Sequence, residues 1–319
     1  MKNFAPRLLS KAVSFSLIFV SLAITRTATA TENVVHAPFA QWADVPLDGQ
    51  FIASLHYERS ESYHIWAKNT YHNISVIAHD TTYGIDLQQG YLAMQYGLTE
   101  RWTADLTLGY TTVGWRYFTP SLQPQSTTGI MDIPLGFRYQ IFNETNSDSK
   151  WTPTLTFRAG GVLPGSYHQD FAFEPGDRSA AIEPELLVRK SFGWQGFGMY
   201  GDALFRWNHT THNDHWIVAT GFFQKIKGWE LNVGYRHLGT VQGEDIVLNT
   251  DPVARSIFYP RMLRENSDAF EAGFNYTTPK RHITMGFFTR DVVDGSNTDA
   301  KFWLSAYITV PFGGRKSSN

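Results

Sequence analysis

Phe302-Trp303-Leu304-Ser305-Ala306-Tyr307-Ile308-Thr309-Val310-Pro311-Phe312 places an apolar residue at every second position: Phe302, Leu304, Ala306, Ile308, Val310 and Phe312. A β-strand turns successive side chains to opposite faces, so this segment has one greasy face and one mixed face. The same period of two returns through the chain. It is cleanest at 102–111, where Trp102, Ala104, Leu106, Leu108 and Tyr110 alternate with Thr103, Asp105, Thr107, Gly109 and Thr111. An aromatic at each end of an apolar row is what two lipid–water boundaries select. The pattern predicts an all-β fold, an antiparallel transmembrane β-barrel of about 12 strands that turns its apolar face to lipid.

The alternation places strands near 50–58, 90–98, 102–111, 132–141, 154–159, 182–189, 197–208, 216–225, 229–236, 270–276, 283–290 and 302–312. The segment 216–225 is apolar on both faces, and its register stays open. Short polar connections at 99–101, 143–151, 192–195, 225–228 and 278–281 alternate with long ones at 59–84, 118–128, 165–179, 209–215, 240–266 and 291–299. Short periplasmic turns and long extracellular loops produce this parity in outer-membrane barrels. The competing all-β reading, a soluble sandwich, hides its alternating face in a dry core and has no reason to alternate loop lengths.

The beginning of the chain agrees. Lys2, Arg7 and Lys11 form a basic region, 12–24 is apolar apart from its serines, and Ala28-Thr29-Ala30 fits a small-residue cleavage site. The expected organisation is a signal peptide at 1–30, a periplasmic or lumen segment at 31–49, the barrel at 50–312 and a tail at 313–319. An uncleaved anchor is the alternative for 1–30, but its apolar stretch is short for a bilayer-spanning helix. Cleavage removes Lys2, Arg7, Lys11 and Arg26; of 27 basic residues 23 remain against 29 acidic, a net charge of −6. That balance gives no reason to expect nucleic-acid binding. Aromatics make up 15% of the residues, enough for two interfacial girdles. The chain has no cysteine, so neither disulfide staples nor thiolate chemistry is available to it.

Three stretches carry a family resemblance. They are Tyr96-Gly97-Leu98-Thr99-Glu100-Arg101-Trp102, Gly129-Ile130-Met131-Asp132-Ile133-Pro134-Leu135-Gly136-Phe137-Arg138-Tyr139 and Ala159-Gly160-Gly161-Val162-Leu163-Pro164-Gly165. In that order they resemble the outer-membrane barrel family named for the meta-pathway of phenol degradation. Asp294-Gly295-Ser296-Asn297-Thr298 resembles that family's loop before the last strand. The resemblance implies an outer-membrane location and uptake of small, often aromatic, molecules. It implies no catalytic residue. Seven residues follow Phe312, whereas many barrels end on the aromatic itself.

Parity also assigns the inward face. Asp105, Asp132, Glu183, Glu185, Asp202, Glu230 and Glu271 oppose Arg138, Arg158, Arg189, Arg206, Arg236 and Lys301. Such rows line a narrow aqueous path, or lock the lumen as a salt-bridged plug. Arg138, Arg158 and Arg189 fall on consecutive strands and are expected to form a ladder against Glu183, Glu185 and Glu230. The resulting expectation is a passive outer-membrane channel for small solutes, porin-like, needing no cofactor. Its expected partners are outer-membrane lipid and lipopolysaccharide, the barrel-assembly machinery and a small-molecule solute. Two other classes stay open. One is an outer-membrane lipid hydrolase, although no Gly-x-Ser-x-Gly elbow appears. The other is a closed structural or adhesive barrel that displays its loops. His209, His212 and His215 have a spacing that suits zinc, and Asp291, Asp294, Asn297 and Asp299 offer oxygens to calcium, but spare loop histidines and an ordinary turn explain both sets.

Overall fold

The computed structural model describes residues 43–73, 84–115, 125–147, 149–167, 176–193, 196–209, 213–245 and 263–313. One antiparallel sheet contains β1 (Gln50–Ala67), β2 (Thr70–Asn73), β3 (Ile85–Gly97), β4 (Trp102–Trp115), β5 (Gln125–Ile130), β6 (Ile133–Phe142), β7 (Thr154–Leu163), β8 (Ala181–Ser191), β9 (Phe197–Asn208), β10 (His215–Ile226), β11 (Trp229–Thr240), β12 (Asn266–Thr277), β13 (Thr284–Ser296) and β14 (Thr298–Gly313). The sheet closes on itself, because β14 pairs with β13 on one side and with β1 on the other. Closure satisfies the edge groups that lipid would otherwise leave without partners.

Two strands are not separate staves. β2 is the return arm of a short hairpin on β1. β5 and β6 are halves of one stave, interrupted at Met131–Asp132, and both pair with β4. The wall is therefore a closed antiparallel barrel of 12 staves, as the alternation predicted.

Polarity is inverted relative to a soluble domain. Leu55, Tyr110, Phe137, Phe287 and Leu304 are exposed on the outside, while Thr103, Thr111, Thr154, Thr156, Thr284, Ser305 and Thr309 are buried within. Phe302, Leu304, Ile308 and Phe312 are exposed along β14, and Ser305, Tyr307 and Thr309 alternate with them on the inner face. Aromatic pairs mark the ends of the outer band near the turns, among them Trp102–Tyr139 and Trp229–Tyr276. No helix among the described residues is long and apolar enough to cross a membrane. The crossing is made by strands.

Two expected loops are corrected. The segment expected as a long polar excursion from 59 begins as strand: β1 continues to Ala67 and turns back into β2. The loop expected at 291–299 is mostly strand: its two arms pair outward, with β12 and with β1, and the β13–β14 ladder itself ends at Asp291–Phe302. β13 runs to Ser296, β14 starts at Thr298, and Asn297 between them has φ 53. In both places the strands outrun the apolar outer band, so they lose the alternation that marked them in the sequence. Within 118–128, residues from Gln125 onward are strand β5.

Residues 43–49 cross the turn end of the lumen. The Ala43 carbonyl accepts from the Gln140 amide and the Thr156 hydroxyl, and Asp44 Oδ2 lies 2.9 Å from Arg189 Nη1. At its other end the strap is held by Gly49 N–H donating to the Gly97 carbonyl. A Cβ at Gly97 would collide with the Leu47 carbonyl, which accounts for a glycine in the Tyr96–Trp102 stretch.

Candidate functional site: an ionic belt inside the barrel

The inward charges gather into a band of ion pairs mid-strand. Asp105 on β4 receives Arg138 Nε from β6 at 3.2 Å and Arg158 Nη2 from β7 at 2.9 Å. Arg158 Nη1 also lies 3.5 Å from Glu183 and 3.7 Å from Glu185, both on β8. Glu183 receives Arg206 Nη2 of β9 at 2.6 Å, and Arg206 reaches Asp177 at 3.0 Å. Further round, Glu271 Oε1 on β12 accepts from Arg236 of β11 and Arg290 of β13, at 2.9 and 2.8 Å. Asp202 of β9 accepts the Ala219 N–H and faces Arg236. The ion pairs thus form two groups, one across β4, β6, β7, β8 and β9 and one across β11, β12 and β13, with Asp202 between them.

The belt is closely packed. Side-chain exposure is 1% at Glu185 and Glu271 and 4% at Arg158 and Glu183. Desolvating this many charges is tolerable because Asp105, Glu183 and Glu271 each meet an arginine at hydrogen-bonding range and Glu185 has Arg158 at 3.7 Å. Either side of the belt the lumen wall carries hydroxyls, with Thr103, Thr111, Thr154 and Thr156 toward the ionic side and Ser305 and Thr309 on β14.

Aromatic rings share the inward wall from β9 round to β1. Tyr200, Phe223, Phe288 and Tyr307 are buried facing inward, with Lys225 over Phe223 and Arg290 over Phe288 at 5.6 and 5.3 Å. His56 stacks between Tyr91 and Tyr307 at centroid distances of 4.4 and 5.3 Å. Parity places Tyr200 and Tyr307 on the inward face but leaves Phe223 open, because its strand is apolar on both faces.

The expected ladder of three arginines is corrected. Arg158 does face Glu183 and Glu185. Arg138 is hydrogen-bonded to Asp105 and also acts on Glu185, so among the arginines the ladder fails only at Arg189, which meets Asp44 and Glu144 at the turn end. Glu230 lies near its own turn, with Lys225 Nζ 3.7 Å away and the Asn275 amide donating to it. Register is the cause: Glu185 sits opposite Arg158, whereas Arg189 sits opposite Thr154, four residues lower on both strands. Lys301 meets Asp299 at 2.8 Å, close to the loop end.

Asp132 has a separate task. It occupies the break between β5 and β6 and accepts from Gly165 N–H, the Tyr167 hydroxyl and Arg178 N–H. Tyr167 is fully buried against the wall at Gly129. The second and third resemblance stretches are therefore two sides of one contact, which ties the loop after β7 to the β5–β6 stave.

Of the histidines considered for a metal, His209 and His215 border one loop and His212 lies outside the described residues. Among the described residues no group of three or more His, Asp or Glu is placed to hold a metal. Asp291 and Asp294 belong to β13, Asp299 belongs to β14, and Asn297 lies between them. A serine–histidine pair does exist: Ser54 Oγ is 2.7 Å from His56 Nε2. Ser54 is also bonded to Thr309, and the other described neighbours of the imidazole are the two tyrosine rings rather than a carboxylate. The orienting member of a hydrolytic triad is absent among the described residues.

The chain is similar to an outer membrane channel from Pseudomonas putida F1, with 15% identity over 90% of this chain and 100% of that one and a TM-score of 0.65. Weaker likenesses include the KdgM porin, with 7% identity over 82% and 99% of the two chains, TM-score 0.41, and a toluene transporter of Pseudomonas putida, with 9% identity over 85% and 91%, TM-score 0.40. The last two carry no argument here. No family model matches the chain, and no curated protein does. The first likeness establishes the fold. With the apolar outer face and closed hydrogen-bond ladder, it makes this an outer-membrane β-barrel.

Proposed function

We propose that the chain is a passive outer-membrane channel for small organic solutes, with the ionic belt as its constriction. The observation that carries this reading is the belt itself: oppositely charged groups from most staves meet mid-strand, with hydroxyl-lined wall on either side. Paired fixed charges across a narrow path orient a polar solute and set which ions accompany it. The aromatic wall from β9 to β14 supports solutes with a flat apolar face, including aromatic ones. In this reading residues 1–30 direct export, the turn end faces the periplasm and the loop end faces outward. Lipid and lipopolysaccharide surround the band, and the barrel-assembly machinery inserts it.

A second reading, a barrel closed at rest, is favoured by the near-zero exposure of Glu185, Glu271 and Arg158. Planar-bilayer recording on the refolded full chain separates the two. A channel gives unitary conductance, and replacing Arg138 and Arg158 together by glutamine shifts its selectivity toward cations. A silent wild type, or unchanged selectivity in the variant, removes the proposal in favour of the closed barrel.

A further inference from the structure

We propose that the lumen holds a binding subsite for a neutral carboxamide-type group, built on β11 and β12 around Asn232. Asn232 points into the lumen and is 3% exposed, yet neither its amide nitrogen nor its oxygen has a hydrogen-bond partner among the described residues. Glu271 is its diagonal neighbour on β12: Asn232 opposes Gly273, and Gly234 opposes Glu271. Glu271 uses Oε1 for both of its arginines, and Oε2 is buried without a partner. The wall therefore presents a donor, an acceptor and a second acceptor on adjacent inward positions.

The surroundings aim groups at this place. Tyr200 reaches from β9 across Gly221 to Gly234, so its hydroxyl arrives at β11; a Cβ at either glycine would strike it. Tyr307 lies from the other side over Gly286, with its hydroxyl at Asn275. Two tyrosines thus converge on β11–β12, and Phe223, directly opposite Asn232 on β10, supplies an apolar flank. A buried primary amide is costly to leave unbonded. The complementary ligand edge is a second amide or a urea: its carbonyl accepts from Asn232 Nδ2, one N–H donates to Asn232 Oδ1, and the other N–H donates to Glu271 Oε2. A methyl ketone of the same shape supplies the acceptor alone and leaves two buried acceptors unpaired. Discrimination of that kind exceeds what apolar contacts provide.

Access of a solute to this wall rests on the channel reading, so binding and passage are measured separately. Nicotinamide and 3-acetylpyridine differ by NH2 against CH3 and serve as probes of the refolded full chain in detergent, followed by ligand-observed NMR. The expected result is binding of nicotinamide at least about tenfold tighter than 3-acetylpyridine, with the preference abolished in Asn232→Leu. Asn232→Ala repeats the comparison if the leucine variant fails to give the folded, heat-modifiable gel band. Equal affinity for the two probes, no binding of either, or a preference that survives both variants overturns the subsite. Liposome swelling supplies the separate arm: binding without passage of either probe leaves the subsite standing and counts against the channel.

Discussion

Replacing Arg158 with methionine keeps most of the side-chain volume and removes the charge that joins three carboxylates. Glu183 and Glu185 lie 3.5 and 3.7 Å from Arg158 Nη1. At an effective dielectric constant of about 20 each attraction is about 4–5 kcal/mol before desolvation is subtracted. Asp105 keeps Arg138 and Glu183 keeps Arg206; Glu185, whose side chain is 1% exposed, keeps the attraction of Arg138 but loses its ion pair with Arg158. Breaking a buried pair from one side costs about 3–5 kcal/mol, because the desolvation of the remaining charge is no longer offset. Arg158→Met is therefore expected to lower folding stability by about 3–5 kcal/mol in reversible urea unfolding in lipid vesicles, followed by tryptophan fluorescence. Adding Glu185→Gln should restore about 1–3 kcal/mol, since it neutralises the buried carboxylate that lost its Arg158 pair. A water-filled belt behaves differently, because solvated pairs are worth only about 0–1 kcal/mol. A loss below that bound, with no recovery in the double variant, would refute the packed belt.

Other expectations follow from the same geometry. Leu106→Arg places a charge on the outer face midway along β4 and should cost about 2–4 kcal/mol in that folding assay; an unaffected variant would mean that the face is wrongly assigned. Asp132→Ala removes the acceptor shared by Gly165, Tyr167 and Arg178, and should cost about 2–3 kcal/mol while exposing the backbone at 164–167 and 176–180 to protease. At the loop end, the Asn297 amide donating to Asp245 holds that carboxyl below the ordinary aspartate range, with Arg264 adding to the effect. A carboxyl lowered in the folded state stabilises it above the ordinary aspartate pKa, and the contribution is lost as pH falls through the lowered value. A spin label at residue 241 should become more mobile below about pH 4 in the wild type. In Asp245→Asn it should be mobile already at neutral pH; identical profiles would show that this contact does not hold the loop.

The barrel was legible because lipid enforces a period of two wherever a strand crosses it, and every stave except β10, which is apolar on both faces, shows that period over its crossing. The strand extensions were not legible for the complementary reason. Beyond the band, Arg59, Glu61, Asp86 and Gln88 face outward on β1 and β3 and bond to one another. Polar groups on both faces erase the alternation while the ladder continues. The β5–β6 stave illustrates a second limit. Asp132 reads as an inward residue of a strand and instead sits at an interruption, and nothing local announces that Tyr167 of the next loop bonds to it there.

For the lumen, parity identified which charged residues face inward, and height along the barrel decided which of them meet. Arg158 and Arg189 carry the same charge on neighbouring staves and look equivalent in sequence. Only the pairing of β7 with β8 separates them, setting Arg158 beside Glu185 and Arg189 beside Thr154. In a tilted antiparallel wall a shift of two residues preserves the face and moves a side chain by about 7 Å, farther than an ion pair reaches. An inward charge can therefore be read from the alternation of its own strand, but its partner depends on a register fixed by turns and by neighbouring staves. The Asn232 subsite lies at the far end of that dependence. Asn232, Glu271 and the glycines under Tyr200 and Tyr307 are unremarkable singly, and they come together only once six consecutive staves are in register.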